Sequence, residues 1–170
     1  SSNASAILDG LNMMYDKPLK NSQLIKIASG LGSDCPFFIK NKPVIARGRG
    51  EILSEINLHL KGFYVILLNP GINIDTRWAY NNCSPNDNRS SLEALLREPI
   101  TEWKNHIIND FESIVIKRYP IVQQLKEALY KSGAIYASMT GSGSSVYGIF
   151  YRKTKVQSLL NKHLLWEGDI

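Results

Sequence analysis

Residues 134–151 read AIYASMTGSGSSVYGIFY. Two apolar runs, Ala134 to Met139 and Val146 to Tyr151, have the length and the aromatic and β-branched content of strands. The tract Thr140-Gly141-Ser142-Gly143-Ser144-Ser145 joins them. Just upstream, Pro120 opens a helical pattern with Ile121, Val122, Leu125, Leu129 and Tyr130 on one face, and Gly133 ends it. Downstream, residues 155–163 read as a helix and Leu164 to Trp166 as a short closing strand. Working back, Ile100 to Tyr119 and Ser91 to Leu96 are predicted helical, and residues 82–90 a polar loop. Phe63 to Leu68 is apolar on both faces, as a central strand would be, and stops at the turn signal Asn69-Pro70-Gly71. From Gly62 onward the order is therefore β-α-α-β-β-α-β, an α+β sandwich.

Residues 1–61 read as the end of a different unit. Ile7, Leu8, Leu11, Met14 and Tyr15 recur at three- and four-residue spacing, which predicts a helix over 4–15 with Ser1, Ser2 and Asn3 as side-chain caps. Leu24, Ile25, Ile27, Ala28 and Leu31 predict a second over 22–31, ended by Gly30 and Gly32. Pro36-Phe37-Phe38-Ile39 is expected to begin a β-rich stretch, continued by Val44 to Ala46 and, after Gly48-Arg49-Gly50, by Glu51 to Leu53. Both helical faces are apolar, yet residues 1–60 offer few strands to cover them. A polypeptide of residues 1–170 alone is expected to be inactive, and to aggregate or form a homodimer through this face.

Composition narrows the function. Hydrophobic residues make up 44% and charged residues 21%, ordinary for a globular protein. No apolar run approaches the roughly 20 residues that span a bilayer, and no signal peptide is visible, so a cytoplasmic location without a membrane partner is expected. Cys35 and Cys83 lack metal-ligand spacing, as do His59, His106 and His163, so no protein-held metal is expected. The net charge of +5 favours anionic ligands. The basic residues are dispersed, however, and no nucleic-acid partner is expected.

Three tracts carry candidate chemistry. In Thr140 to Ser145, glycines let backbone amides approach an anion and hydroxyls add donors, although a plain strand connection reads equally well. The tract fits neither the Walker nor the dinucleotide pattern, since it leads into a strand and has no Lys. Bulk at Gly143 is expected to take space that a phosphate needs. Asp34, in Gly32-Ser33-Asp34-Cys35-Pro36-Phe37-Phe38, is either a turn aspartate or a partly desolvated carboxylate able to accept a hydroxyl proton. Ser1-Ser2-Asn3 are helix caps or an anion site at a helix amino end.

Taken in chain order, from Ser1-Ser2-Asn3 through Gly32 to Phe38 to Thr140 to Ser145, the three tracts resemble the galactokinase–homoserine kinase–mevalonate kinase (GHMP) superfamily over nearly the whole chain. Gly32 to Phe38, Gly48-Arg49-Gly50-Glu51-Ile52-Leu53, Pro70-Gly71-Ile72-Asn73-Ile74-Asp75-Thr76 and Asn109-Asp110-Phe111-Glu112 are most similar to the branch acting on 4-diphosphocytidyl-2-C-methyl-D-erythritol. Ser33, Cys35, Arg49 and Arg77 depart from its usual pattern. The resemblance implies a two-domain α+β fold, amino-terminally truncated here. Residues 1–61 would be the remainder of the amino-terminal domain, and 62–170 a ferredoxin-like carboxyl-terminal domain, with the active site in the cleft between them. It implies transfer of the ATP γ-phosphate, with Mg2+, to the 2-hydroxyl of that substrate in non-mevalonate isoprenoid (terpenoid) synthesis. By the same resemblance Asp34 would be catalytic, Ser1, Ser2, Asn3, Gly141, Ser142 and Gly143 would bind ATP, and Tyr80, Thr76 and Arg49 would bind substrate, with Trp78 as Tyr80's rival for stacking on cytosine. A homoserine or mevalonate type of kinase, or a non-catalytic ferredoxin-like binding module, are the alternative readings.

Overall fold

A computed structural model describes residues 1–16, 18–85, 88–156 and 158–170. The chain divides into two compact units, Ser1–Leu58 and His59–Ile170. Among the described residues no helix is long and apolar enough to cross a membrane.

The first unit holds α1 (Ser2–Met14), α2 (Asn21–Leu31), α3 (Cys35–Lys40) and an antiparallel hairpin of β1 (Val44–Arg47) and β2 (Ile52–Glu55). Ser1 occupies the N-cap of α1, but no side-chain capping bond forms. The helix inverts the expected burial. Ser5 and Asn12 are its buried residues, with the Ser5 hydroxyl donating to Cys35 O (3.1 Å) and the Asn12 amide exchanging bonds with the backbone of Leu19 (3.0 and 3.2 Å). The apolar stripe is left in water: Ile7, Leu11, Met14 and Tyr15 are exposed, as are Ile27 and Leu31 of α2.

The stretch after Asp34 is a helix, which corrects the strand expected at Pro36 to Ile39. Pro36 lies in the first turn of α3, where its missing amide costs nothing and its ring presets a helical φ. Asn41 then takes a left-handed conformation (φ +46°) and stops the helix before β1.

The second unit begins with β3 (Tyr64–Leu68), α4 (Thr76–Asn82), α5 (Leu92–Leu95), α6 (Trp103–His106), α7 (Phe111–Arg118) and α8 (Ile121–Lys131). It ends with β4 (Tyr136–Met139), β5 (Val146–Phe150), α9 (Ser158–Asn161) and β6 (Leu164–Asp169). The sheet order is β4-β5-β3-β6, antiparallel throughout. This is the α+β sandwich expected from the alternation of strands and helices, in the ferredoxin-like arrangement that the resemblance implied. Ile66 and Leu68 are fully buried in one cluster with Val115, Val122, Leu125 and Leu129 of the helices.

Two expected helices are shorter in the structure. Ile100 to Tyr119 breaks between α6 and α7, because the Asn109 side chain turns back to accept the Phe111 amide (3.0 Å). Residues 153–156 are not helical. The Thr154 hydroxyl bonds Arg152 O (2.9 Å), a local contact that competes with helix formation. Gln157 of that expected helix, and Asn86 and Asp87 of the expected 82–90 loop, lie outside the described residues. At the edge, β6 has a bulge, since Leu67 faces Trp166 and Leu68 faces Leu164. The Trp166 indole lies so close over Gly168 that a Cβ there would sit 2.7 Å from the ring.

Two predictions arise here. Burial pushes the Tyr136 and Tyr147 phenols above the ordinary tyrosine range. Unfolded phenols ionise near pH 10, so stability from these two is present below about pH 10 and is lost as pH rises beyond it. An alkaline absorbance titration should show at least two of the eight tyrosines ionising only with unfolding. Ordinary titration of all eight would refute the burial. Secondly, each large aliphatic side chain left in water forgoes about 1.5–3 kcal/mol. The polypeptide of residues 1–170 should therefore bind a hydrophobic dye and sediment as more than one chain; a dye-negative monomer would contradict the exposed stripe.

Candidate active site

The second unit builds its candidate site around the β4–β5 connection. The Thr140 amide donates to Ser145 O (2.9 Å) and the Gly143 amide to Thr140 O (3.0 Å). The amides of Gly141 and Ser142 have no protein acceptor among the described residues. Gly141 (φ +56°) and Gly143 (φ +94°) are both left-handed, but their surroundings differ. A Cβ on Gly141 would meet open space. One on Gly143 would lie 2.7 Å from Met139 Sδ and 2.8 Å from Ile74 Cδ1, both in buried side chains. The expectation that bulk at Gly143 would fill a phosphate's space is thereby corrected: that side of the loop faces protein.

The loop is fastened to the segment after β3. The Ser144 hydroxyl donates to Ile72 O (2.6 Å), and the Asn69 side-chain Nδ2 to Ser145 Oγ (3.0 Å). Ser142 Oγ lies 3.3 Å from Thr76 Oγ1. Thr76 opens α4, whose first turn is capped by Asp75 accepting the Trp78 amide (2.6 Å). Within α4 the two rings differ. Trp78 packs against the core and under the Arg118 guanidinium, 4.6 Å from its centroid. Tyr80 is 67% exposed and touches Phe111 edge-on at 5.0 Å. Thr76, Tyr80, Gly141, Ser142 and Gly143 thus gather at one end of the sheet.

In the first unit, Ser1 sits beside the turn that carries Asp34. Its carbonyl accepts from the Cys35 thiol (3.7 Å), and its hydroxyl lies 3.9 Å from where a Cβ of Gly32 would be. Asp34 is the N-cap of α3 without a side-chain capping bond, and it is exposed. Of the two sequence readings, this agrees with the turn aspartate and not with the partly desolvated carboxylate. The Pro36-Phe37 segment that was to bury it instead forms α3, with Phe37 and Phe38 themselves exposed. A Cβ on Gly50 (φ +108°) would lie 3.0 Å from Asp34 Oδ1, so the β1–β2 turn needs glycine there. Arg49, next to it, is exposed and donates its amide to Glu51 Oε2 (2.7 Å). Ser2 and Asn3 are exposed in the first turn of α1.

Sequence reasoning gave Asn109 and Glu112 no role, yet both bond the strand that leads into the Gly/Ser loop. The polar pair breaking an otherwise helical pattern at Asn109-Asp110 was the available signal. Among the described residues no three His, Cys, Asp or Glu side chains converge as metal ligands.

Residues 91–163 match the family model described as GHMP kinases C terminal. A protein of Parabacteroides distasonis named 4-diphosphocytidyl-2-C-methyl-D-erythritol kinase is 41% identical over the whole of this chain, which covers 64% of that relative. One of the same name from Bacteroides fragilis is 42% identical over 94% of this chain and 58% of its own length. Residues 91–163 are thus a GHMP kinase C-terminal domain. A crystal structure of 4-(cytidine 5'-diphospho)-2C-methyl-D-erythritol kinase superposes with a TM-score of 0.71 and 26% identity, over 86% of this chain and 53% of that one. The chain therefore spans about 60% of the length of these two curated relatives, and the matched C-terminal model falls within the second unit.

Gly143→Val should act on folding before it acts on nucleotide, costing roughly 2–4 kcal/mol through strain and overpacking. Gly141→Ala should cost about 1–2 kcal/mol for the left-handed backbone alone. Denaturant midpoints of the two variants check this, and equal losses would be inconsistent with the packing at Ile74 and Met139.

Proposed function

We propose that this chain belongs to an ATP-dependent kinase that phosphorylates the 2-hydroxyl of 4-diphosphocytidyl-2-C-methyl-D-erythritol, a cytoplasmic step of non-mevalonate isoprenoid synthesis. The observation that carries the reading is the gathering of a loop whose Gly141 and Ser142 amides meet no acceptor among the described residues, tied through Thr76, with an exposed aromatic ring at Tyr80. The first suits phosphate and the second a flat base, which are the two ends of that chemistry. The relatives' names favour the same substrate over those of other GHMP kinases.

Phosphoryl transfer depends on positioning and charge stabilisation rather than on covalent work by the protein. In this scheme the Gly141 and Ser142 amides and the Ser142 hydroxyl approach the ATP phosphates, with Ser1, Ser2 and Asn3 at the amino end of α1 as further phosphate contacts. Tyr80 stacks on the cytosine, and Thr76 and Arg49 line the substrate's polar parts. Asp34 accepts or orients the hydroxyl proton as the oxygen attacks the γ-phosphorus. Its exposure leaves it open to substrate. Mg2+ supplies charge neutralisation between phosphates when ATP binds. It commonly relies on phosphate oxygens and one or two protein ligands.

Asp34→Asn in the full-length enzyme should lower kcat by roughly 10²-fold or more while folding and nucleotide affinity change little; near-normal turnover would remove Asp34 from the mechanism. Calorimetry with the cytidine-containing substrate and with ATP tests the whole reading. Binding of ATP without the cytidine compound would move the assignment to another GHMP kinase.

A further inference from the structure

We infer that the segment Asn109–Glu112 is the common support of the Gly/Ser loop and of the Tyr80 ring. Asn109 and Glu112 are positioning residues for the loop, and Phe111 is one for the ring. The inference deepens the kinase reading and rests on it, since it takes the loop to hold ATP and Tyr80 to hold the cytidine compound.

The geometry begins at Met139, the last residue of β4. This strand lies at an edge of the sheet, with β5 its single neighbour. An edge strand presents amides and carbonyls with no strand to meet them. At Met139 two side chains take that strand's place. Its amide donates to Glu112 Oε1 (2.7 Å), and its carbonyl accepts from Asn109 Nδ2 (2.9 Å). The same Asn109 amide group reaches one step further and donates to Gly141 O (2.8 Å), inside the loop. Asn109 Oδ1 accepts the Phe111 amide (3.0 Å), which fixes the side chain's orientation. Glu112, 5% exposed, also accepts from the Ser138 hydroxyl (3.0 Å) and pairs with Lys126 of α8. The entrance to the loop is thereby held at both the amide and the carbonyl of one residue, Met139.

Between Asn109 and Glu112, the Phe111 ring meets the Tyr80 ring edge-on at 5.0 Å. Tyr80 has one large face in water, and this contact is the aromatic one that sets its tilt. Four consecutive residues thus fix the loop and the ring together. Chemistry of this kind is sensitive to placement: a shift of about 1 Å in a group remote from the reacting atoms can cost roughly 10²-fold in rate.

The roles separate by ligand. In the full-length enzyme, Asn109→Ala loses two donated bonds, and the dissociation constant for ATP should rise about tenfold. That for the cytidine-containing substrate should stay within about twofold, since the Phe111–Tyr80 contact remains. Phe111→Ala should show the reverse split. Hydrogen exchange at the Thr140 and Gly143 amides should quicken in Asn109→Ala and not in Phe111→Ala. Glu112→Gln keeps an acceptor for the Met139 amide and should retain slow exchange that Glu112→Ala loses. If Asn109→Ala does not fold, Asn109→Asp keeps the acceptor for the Phe111 amide, replaces the donor by a carboxylate oxygen that the Met139 and Gly141 carbonyls repel, and should give an ATP-selective loss at least as large. Equal weakening of both ligands, or unchanged exchange in the loop, would overturn the assignment. Wild-type enzyme that binds neither ligand would instead sink the kinase reading, and these roles with it.

Discussion

Ile66 and Leu68 lie fully buried on the face of β3 that meets Val115, Val122, Leu125 and Leu129, and their burial sets the register of the strands on both sides. Side chains alternate along a strand, so a slip of one residue would carry Tyr64, Ile66 and Leu68 into solvent and Val65 and Leu67 into the helices. Once β3 is held, β5 pairs from Tyr64↔Phe150 to Leu68↔Val146. The end of that pairing places residues 140–145 beside the turn that follows β3. The loop's bonds to Ile72, Asn69 and Thr76 are therefore consequences of a packing decision made at the opposite surface of the strand.

A second constraint is electrostatic. Glu112 is a carboxylate taken almost wholly out of water, and such a group is costly unless paired and hydrogen-bonded. Here Lys126, the Ser138 hydroxyl and the Met139 amide all serve it. The arrangement joins α7, α8 and β4 in a way that an apolar residue of equal size would not, because it fixes direction as well as proximity. Greasy contacts hold the helices on the sheet; the carboxylate fixes where the strand ends.

Much of the second unit was legible from sequence because its elements obey local rules. Ile121 to Lys131 shows a clean apolar stripe, and the runs at 63–68, 134–139 and 146–151 are bounded by Gly, Pro and Ser. The failures have physical causes. Pro36 reads as a strand beginning only if its place in a helix's first turn is not considered. Ile100 to Tyr119 looks continuous because Asn109's side chain, which breaks it, bonds residues thirty positions away. Spacing alone also cannot tell which face of an amphipathic helix a protein covers, and in α1 the covered residues are Ser5 and Asn12. Of the candidate site, the Gly/Ser loop was visible from its composition. Asp34's exposure was not, since that depends on how the next residues fold.

The bulge at Leu165 has a bearing on how these molecules meet one another. With Leu165 and Trp166 exposed, β6 has the composition of a strand that recruits strands from other chains. The extra residue breaks the regular run of outward amides and carbonyls, and Glu167 and Asp169 add like charges that a second copy would have to face. Trp166 lies across Gly168 rather than reaching outward. The sheet is in this way insulated from endless edge-to-edge growth, so crowding of these chains would be channelled to the greasy helices of the first unit and end in small clusters rather than fibres.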